Sequence, residues 1–219
     1  MMPSRSVRGL SIAALAVALA GCWGAMQTSP DAPTAAGGLS PTVKDKDAGL
    51  VGLASDFNVK AYETIGVTLF PVTDTLEDEG DRRFAAEMAA FLQTELVRRL
   101  RESGVFQRVV NLTEADYKPA TGEKVLRLEG SITRLGRGSQ AARYFAGAFG
   151  AGRTRAQADM RFVESPAGRV VMVTADRRVA QAGFFGGADR DHLRESFDDM
   201  ARDLARFLVR LSKGETPKD

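Results

Sequence analysis

Thr64-Ile65-Gly66-Val67-Thr68-Leu69-Phe70 is β-branched and apolar on both faces and is bounded by Pro71. That composition predicts a strand covered on both sides. An acidic loop follows, carrying Asp74, Glu77, Asp78, Glu79 and Asp81. Beyond it Phe84, Met88, Leu92, Leu96 and Leu100 recur every four residues, with Phe91 beside them. The recurrence predicts a helix with one apolar stripe. Acids at its start and Arg98, Arg99 and Arg101 at its end suit the helix dipole; Ser103-Gly104 supplies a left-handed stop, and Val105 stands where the accompanying apolar contact belongs. The acidic loop lacks the Asp-x-Asp-x-Asp-Gly order of a calcium loop, so its carboxylates read as helix N-terminal charge rather than as a cation site.

Downstream, Val105 to Val110 reads as a second strand, and strand, helix and strand in that order can form a right-handed parallel crossover. After a polar turn around Pro119 to Gly122, the segment 125–135 puts Leu126, Leu128 and Ile132 on one face. Arg127, Glu129, Ser131 and Thr133 fall on the other, the pattern of a strand with one wet side. Residues 156–162 alternate again, and Ser165-Pro166-Ala167-Gly168 turns them back into Val170-Val171-Met172-Val173-Thr174, a hairpin. Gly183 to Gly187 breaks that strand. Asp189 is a plausible N-cap for a last helix whose Leu193, Phe197, Met200, Leu204, Leu208 and Leu211 form a continuous stripe before Gly214. His192 reads as a surface residue near that helix start. The expected fold is α+β (or α/β): one mixed sheet of about five strands, with two main helices packed on one face.

Upstream, Arg5 and Arg8 precede an apolar run of 11 residues, Leu10 to Ala20, and Leu19-Ala20-Gly21-Cys22 holds the only cysteine of the chain. This is the order of a secretory signal peptide. The run is well short of the roughly 20 residues that span a bilayer. The four residues resemble the bacterial lipobox. That resemblance implies diacylation of the Cys22 sulfur, cleavage before it and acylation of its amine, palmitate being a typical acyl group. Residues 1–21 are then a lipoprotein signal peptide. Residues 22–55 read as lipidated cysteine and flexible tether, 56–214 as a single periplasmic domain and 215–219 as a C-terminal tail. From Trp23 to about Pro41 the chain is Ala, Gly, Pro, Ser and Thr with almost no large apolar residue, which cannot offset its own ordering entropy. Some 20 such residues give a reach of roughly 25 Å. Trp23 occupies the position where aspartate would resemble an inner-membrane retention signal, so in a Gram-negative cell the expected address is the outer membrane, with the domain facing the periplasm.

Cleavage leaves 198 residues (219 less 21), with 28 basic against 28 acidic side chains. A neutral chain argues against bulk nucleic-acid binding, which needs cations to displace phosphate counterions. With Cys22 committed to lipid, no thiol remains for a disulfide, a thiolate zinc site or a nucleophile. His192 is the only histidine, so a metal site would need carboxylates alone and a serine triad would rest on one residue. The inventory predicts no enzyme, no metal and no cofactor beyond the covalent lipid.

Residues 127–161 contain seven arginines, no lysine, and only Glu129 and Asp159 as acids. Arginine without lysine suits bidentate recognition of carboxylate or phosphate, from lipid headgroups or an acidic protein surface. Pairing with the chain's own acids is the alternative. Gly147-Ala148-Phe149-Gly150-Ala151-Gly152-Arg153-Thr154 has the glycine spacing of a P-loop but feeds an alternating strand instead of a helix. Gly136-x-Gly138-x-x-Ala141 mimics a dinucleotide fingerprint, yet the segment behind it is short for a crossover helix and Gly147 interrupts it. The small residues there allow close backbone approach, as a tight connection or as a contact surface. The candidate interaction surface comprises Arg137, Arg143, Tyr144, Gly147, Phe149, Gly150, Gly152, Arg153 and Arg155, with the aromatics as apolar anchors.

Gly136-x-Gly138, Ala142-Arg143-Tyr144, the glycines at 147, 150 and 152, and the hairpin behind them resemble a family of bacterial lipoproteins known only as a domain of unknown function, the 4410 type. The match covers about residues 60–212. The resemblance implies a tethered α/β domain, related in fold to the periplasmic domain of the curli secretion lipoprotein, and supplies no catalytic residues. The expected function is a membrane-anchored, non-catalytic binding or assembly domain, an accessory of a cell-envelope complex that meets an envelope protein or a second copy of itself. The alternative is an oligomeric secretion or pore-associated lipoprotein that inserts a glycine-rich hairpin.

Overall fold

The computed structural model describes residues 25–76, 78–114, 117–136, 154–180 and 189–219. In chain order the elements are β1 (Met26–Thr28), β2 (Val43–Asp45), β3 (Gly49–Leu53), a 3-10 turn (Val59–Ala61), β4 (Thr64–Val67), α1 (Glu79–Ser103), β5 (Arg108–Asn111), β6 (Val125–Gly136), β7 (Thr154–Ser165), β8 (Val170–Ala180) and α2 (Asp189–Ser212). The stretch 64–70 is a covered strand only in its first half: all four residues of β4 are buried, but the strand stops at Val67, and beyond it Phe70 is fully buried while Leu69 is 43% exposed. The sheet order is β2-β3-β8-β7-β6-β4-β5. β4 runs parallel to β5 and β6, and the remaining pairs are antiparallel.

The α+β class, the mixed sheet and the two helices on one face are as expected. α1 is capped by Asp78, whose carboxylate accepts the Asp81 N–H, and it ends at Gly104 with φ 66°, a left-handed turn that costs glycine little. Its Met88, Leu92, Leu96 and Leu100, and Leu193, Phe197, Leu204 and Leu208 of α2, share one core with Leu126, Leu128 and Phe162 of the sheet. Phe70 lies against Gly130 of β6, where a Cβ would fall 2.7 Å from the Phe70 ring and 2.4 Å from the Asp159 carbonyl. Only glycine fits there.

Three expectations are corrected. Among the described residues the sheet has eight strands rather than about five. The second strand begins at Arg108, three residues later than expected, because Phe106 is buried ahead of it. β8 continues six residues past Thr174 to Ala180, since Arg178 reaches Asp203 of α2 and Asp176 accepts from Arg178 and from Gln27 Nε2 of β1 instead of ending the strand.

The largest correction concerns residues 22–55, read as a flexible tether. Their described part belongs to the domain. β2 and β3 extend the edge of β8 at residues 172–175, and β1 continues that edge at residues 177–179. Between β1 and β2 the chain runs as a strap across the sheet face opposite the helices. The Asp31 N–H donates to Gln157 Oε1 (2.7 Å), and Gln157 Nε2 donates back to the Asp31 carbonyl (2.8 Å). The Thr34 N–H and hydroxyl both donate to Asp159 Oδ2. A segment with no core of its own is thus ordered by main-chain and carboxylate hydrogen bonds, which apolar periodicity does not encode. The C-terminal tail is tied as well: the Lys218 N–H donates to Asp45, and its carbonyl accepts the Lys46 N–H.

Candidate functional site

The strap roofs one side of a cleft of about 350 Å³ on this second sheet face. Thr34 and Ala36 form the roof, Leu69 and Pro71 the facing wall, and β6 and β7 the floor with Glu129, Ser131 and Arg161. Strand parity explains the floor. Leu126, Leu128 and Ile132 turn to the helices, so Arg127, Glu129 and Ser131 face the strap; on β7, Arg155, Gln157, Asp159 and Arg161 do the same.

The carboxylates of the cleft are engaged. Asp159, 5% exposed, accepts from both Thr34 groups, from Gln157 Nε2 (3.0 Å) and from the Thr133 hydroxyl (3.4 Å). Glu129 bridges Arg127 and Arg161. Burial opposes its ionisation, but the two guanidiniums outweigh burial and hold the carboxyl below its ordinary range. Such a site has hydrogen-bonding and apolar walls for a bound group.

The arginine-rich stretch divides. Arg127 and Arg161 pair with Glu129, and Arg134 lies 3.6 Å from Asp74 and 3.8 Å from Asp31. Internal pairing therefore accounts for these three. Arg155 is exposed in β7, opposite Gly136 and Val179 of its neighbours. Arg137, Arg143, Tyr144, Gly147, Phe149, Gly150, Gly152 and Arg153 lie outside the described residues, as does Cys22. Of the acidic loop, Asp78 caps α1 and Asp74 accepts the Leu135 N–H. His192 is half-buried rather than on the surface, and its Nε2 has no hydrogen-bond partner among the described residues.

Two clusters escaped sequence reasoning. One is the set of strap anchors, Gln157 and Asp159, whose polar character inside an alternating strand was the available signal. The other lies between β8 and α2, where Arg178 donates to both oxygens of Asp176 and to Asp203 Oδ2 (2.9 Å). Nearby, Arg210 donates to Asp45 and Asp47.

These pairings set an acid limit. Tyr117 and Thr64 donate to Glu123 and hold its carboxyl at about 2, against 4.5 for a free glutamate. Arg169 and Tyr62 depress Glu164. At Asp45 and Asp198 burial works the other way, but arginine and backbone donors at the first and arginines at the second prevail. A carboxyl depressed by folding stabilises the fold above its unfolded pKa and loses that contribution as pH falls through the folded value. Asp176, raised chiefly by burial, has the opposite sign: its contribution favours the fold in acid. The depressed groups outnumber it. The melting temperature should therefore change little down to about pH 5 and then decline continuously toward pH 2. Scanning calorimetry across that range tests this, and a melting temperature that climbs below pH 4 would contradict it.

Residues 55–187 match the model of a family described as "Domain of unknown function (DUF4410)". Among solved structures the chain resembles the PelC dodecamer from Paraburkholderia phytofirmans, with TM-score 0.46 and 10% identity over 70% of this chain and 95% of that one. It also resembles a DUF330 protein from Xanthomonas campestris, with TM-score 0.47 and 10% identity over 74% and 92% of the two chains. A candidate lipoprotein from Caulobacter crescentus CB15 matches with TM-score 0.38 and 15% identity over 73% and 96%. No curated protein matches the chain.

Proposed function

We propose for this chain, which belongs to the DUF4410 family of domains of unknown function, the role of a membrane-anchored lipoprotein with a non-catalytic binding domain that serves an envelope assembly. The observation that carries this reading is the position of β1. Only Trp23, Gly24 and Ala25 separate Cys22 from Met26, and Met26 is already paired with Val179. An acyl chain on Cys22 would thus hold the sheet itself rather than the end of a loose tether. No helix among the described residues is long and apolar enough to cross a membrane. Trp23 after the cysteine favours the outer membrane, with the domain in the periplasm. The engaged states of Asp159 and Glu129 support binding rather than catalysis. Partner contact is assigned to the glycine- and arginine-rich stretch, Arg137 to Arg155.

The test joins both halves of the proposal. Cells fed an alkyne-palmitate should label the wild-type protein, and Cys22→Ser should abolish the label and move the protein from membrane to soluble fraction. After cross-linking in whole envelopes, the lipidated protein should recover a defined set of proteins that the Gly150→Val, Gly152→Val double variant loses while remaining folded and membrane-bound. An unlabelled wild type contradicts the anchor; identical recovery by wild type and variant contradicts the docking assignment.

A further inference from the structure

Strand register places Glu129 opposite Arg161 and Ser131 opposite Asp159, so the floor of the cleft is two adjacent rows of side chains. In the first row one carboxylate lies between two guanidiniums. Arg161 donates to Glu129 Oε2 from Nε (2.9 Å) and Nη2 (2.8 Å). Arg127, two residues before Glu129 on the same face of β6, donates to Oε1 from its own Nε (2.9 Å) and Nη2. Each arginine uses one edge of its fork on Glu129, and Nη1 of both has no partner among the described residues. The Ser131 hydroxyl has none either.

The charges of this floor lie at different depths. The Glu129 side chain is 13% exposed, against 48% for Arg127 and 51% for Arg161. Asp159 lies beneath its Thr34 and Gln157 donors. The other acids on this face, Asp31 and Asp74, sit farther along it with Arg177 and Arg134. Counting Asp159 the floor is neutral, but a group entering from solvent meets guanidinium before carboxylate. Across from this rim the walls are apolar: Leu69, exposed and outside the core, and Pro71 face Ala36 of the strap. The cleft of about 350 Å³ has room for about a dozen non-hydrogen atoms at roughly 30 Å³ each.

We propose that the cleft binds a small amphiphilic anion: a carboxylate or phosphate head on Arg161, Arg127 and Ser131, and a short single-chain apolar body between Leu69, Pro71 and Ala36. The free guanidinium N–H groups suit either head, since both present oxygens in the geometry of the arginine fork. An apolar body covers the Leu69 surface that the fold leaves in water. A cation would meet the two guanidiniums, and a neutral chain would leave their Nη1 donors unused. The volume suits a chain of about eight carbons and excludes a two-chain lipid. This site is separate from the Cys22 anchor and from the partner contact at Arg137 to Arg155, and it depends on neither.

The test uses the full mature chain, residues 22–219, carrying Cys22→Ser so that no acyl group competes for the cleft. The probes are octanoate, octyl phosphate and octanol. In an NMR titration the anions should shift the amides of Thr34, Leu69, Gly130 and Ser131 saturably and leave those of α1 in place. Octanol, lacking the charged head, should bind about tenfold more weakly. Saturation by only one of the two anions supports the site and identifies its head group. Arg161→Gln should weaken binding about tenfold, and Leu69→Ser about fivefold. Both side chains are half-exposed and outside the core, so both variants should fold. Arg82→Gln, at an exposed arginine of α1, should leave the affinity unchanged. Four results each overturn the proposal: no saturable shift with either anion, octanol binding as tightly as the anions, an affinity that Arg161→Gln and Leu69→Ser leave unchanged, or an equal loss in Arg82→Gln. The chain tested has no lipid and keeps Arg137 to Arg155 intact, so failure here is distinct from failure of the anchor or of the docking assignment.

Discussion

Arg178→Ala should destabilise the domain by about 3–5 kcal/mol, the range found when one partner of a buried ion cluster is removed. The Arg178 side chain is 6% exposed, and its partners Asp176 and Asp203 are 5% and 6% exposed. The guanidinium satisfies both oxygens of Asp176 and one of Asp203. Without it two carboxylates face each other under α2, where burial already pushes the Asp176 carboxyl up. Arg202 and Arg206 still reach Asp203, but neither is placed on Asp176. The variant should therefore recover part of its stability in acid, because burial makes the Asp176 carboxyl give up its charge more readily than an ordinary aspartate. Asp176→Asn should cost less than Arg178→Ala, because it removes the charge that burial disfavours. Urea unfolding at pH 7 and pH 5 decides the matter: a loss under about 1 kcal/mol for Arg178→Ala would mean that water reaches the cluster.

Asp159→Ala should release the strap. Hydrogen bonds to a charged group contribute about 1.5–3 kcal/mol each, and the Asp159 carboxylate holds the strap through both the N–H and the hydroxyl of Thr34. Its loss also leaves Gln157, the other anchor, without one of its acceptors. A cost of about 2–4 kcal/mol is expected, confined to local opening rather than spread over the core. Amide exchange at Asp31 and Thr34 should accelerate a hundredfold or more while amides in α1 keep their protection, and proteases should cut between residues 29 and 40. Unchanged protection at Thr34 would show that β1 and β2 hold the strap without this carboxylate. With the strap released, the cleft loses the wall formed by Thr34 and Ala36.

The candidate site was legible only in fragments. Of the nine residues read as an interaction surface, Arg155 is the one among the described residues, exposed at the start of β7. Arg127 has its carboxylate two residues on, on the same face of the same strand, but Arg134 and Arg161 looked no different in the sequence and have carboxylates that only the strap, the 71–78 loop or strand pairing delivers. Nothing local to an arginine says whether an acid from thirty or a hundred residues away will reach it. Asp159 could be counted as an acid in a basic stretch, but its role depends on Thr34, 125 residues earlier.

Apolar spacing was enough to establish the two helices, their buried faces and the strands β4, β6, β7 and the first half of β8. In those elements the side chains that face the core carry most of the stabilisation, and they recur with the period of the backbone that holds them. The same spacing could not reveal β1 to β3, the strap or the length of β8. Those parts are held by main-chain hydrogen bonds along an existing strand edge, by two side-chain anchors on β7 and by an arginine shared between buried carboxylates. Such interactions need partners that only the finished sheet brings within reach. An Ala-, Gly-, Pro- and Ser-rich segment that reads as a tether thereby joins the sheet at Met26, a placement that tertiary structure alone decided.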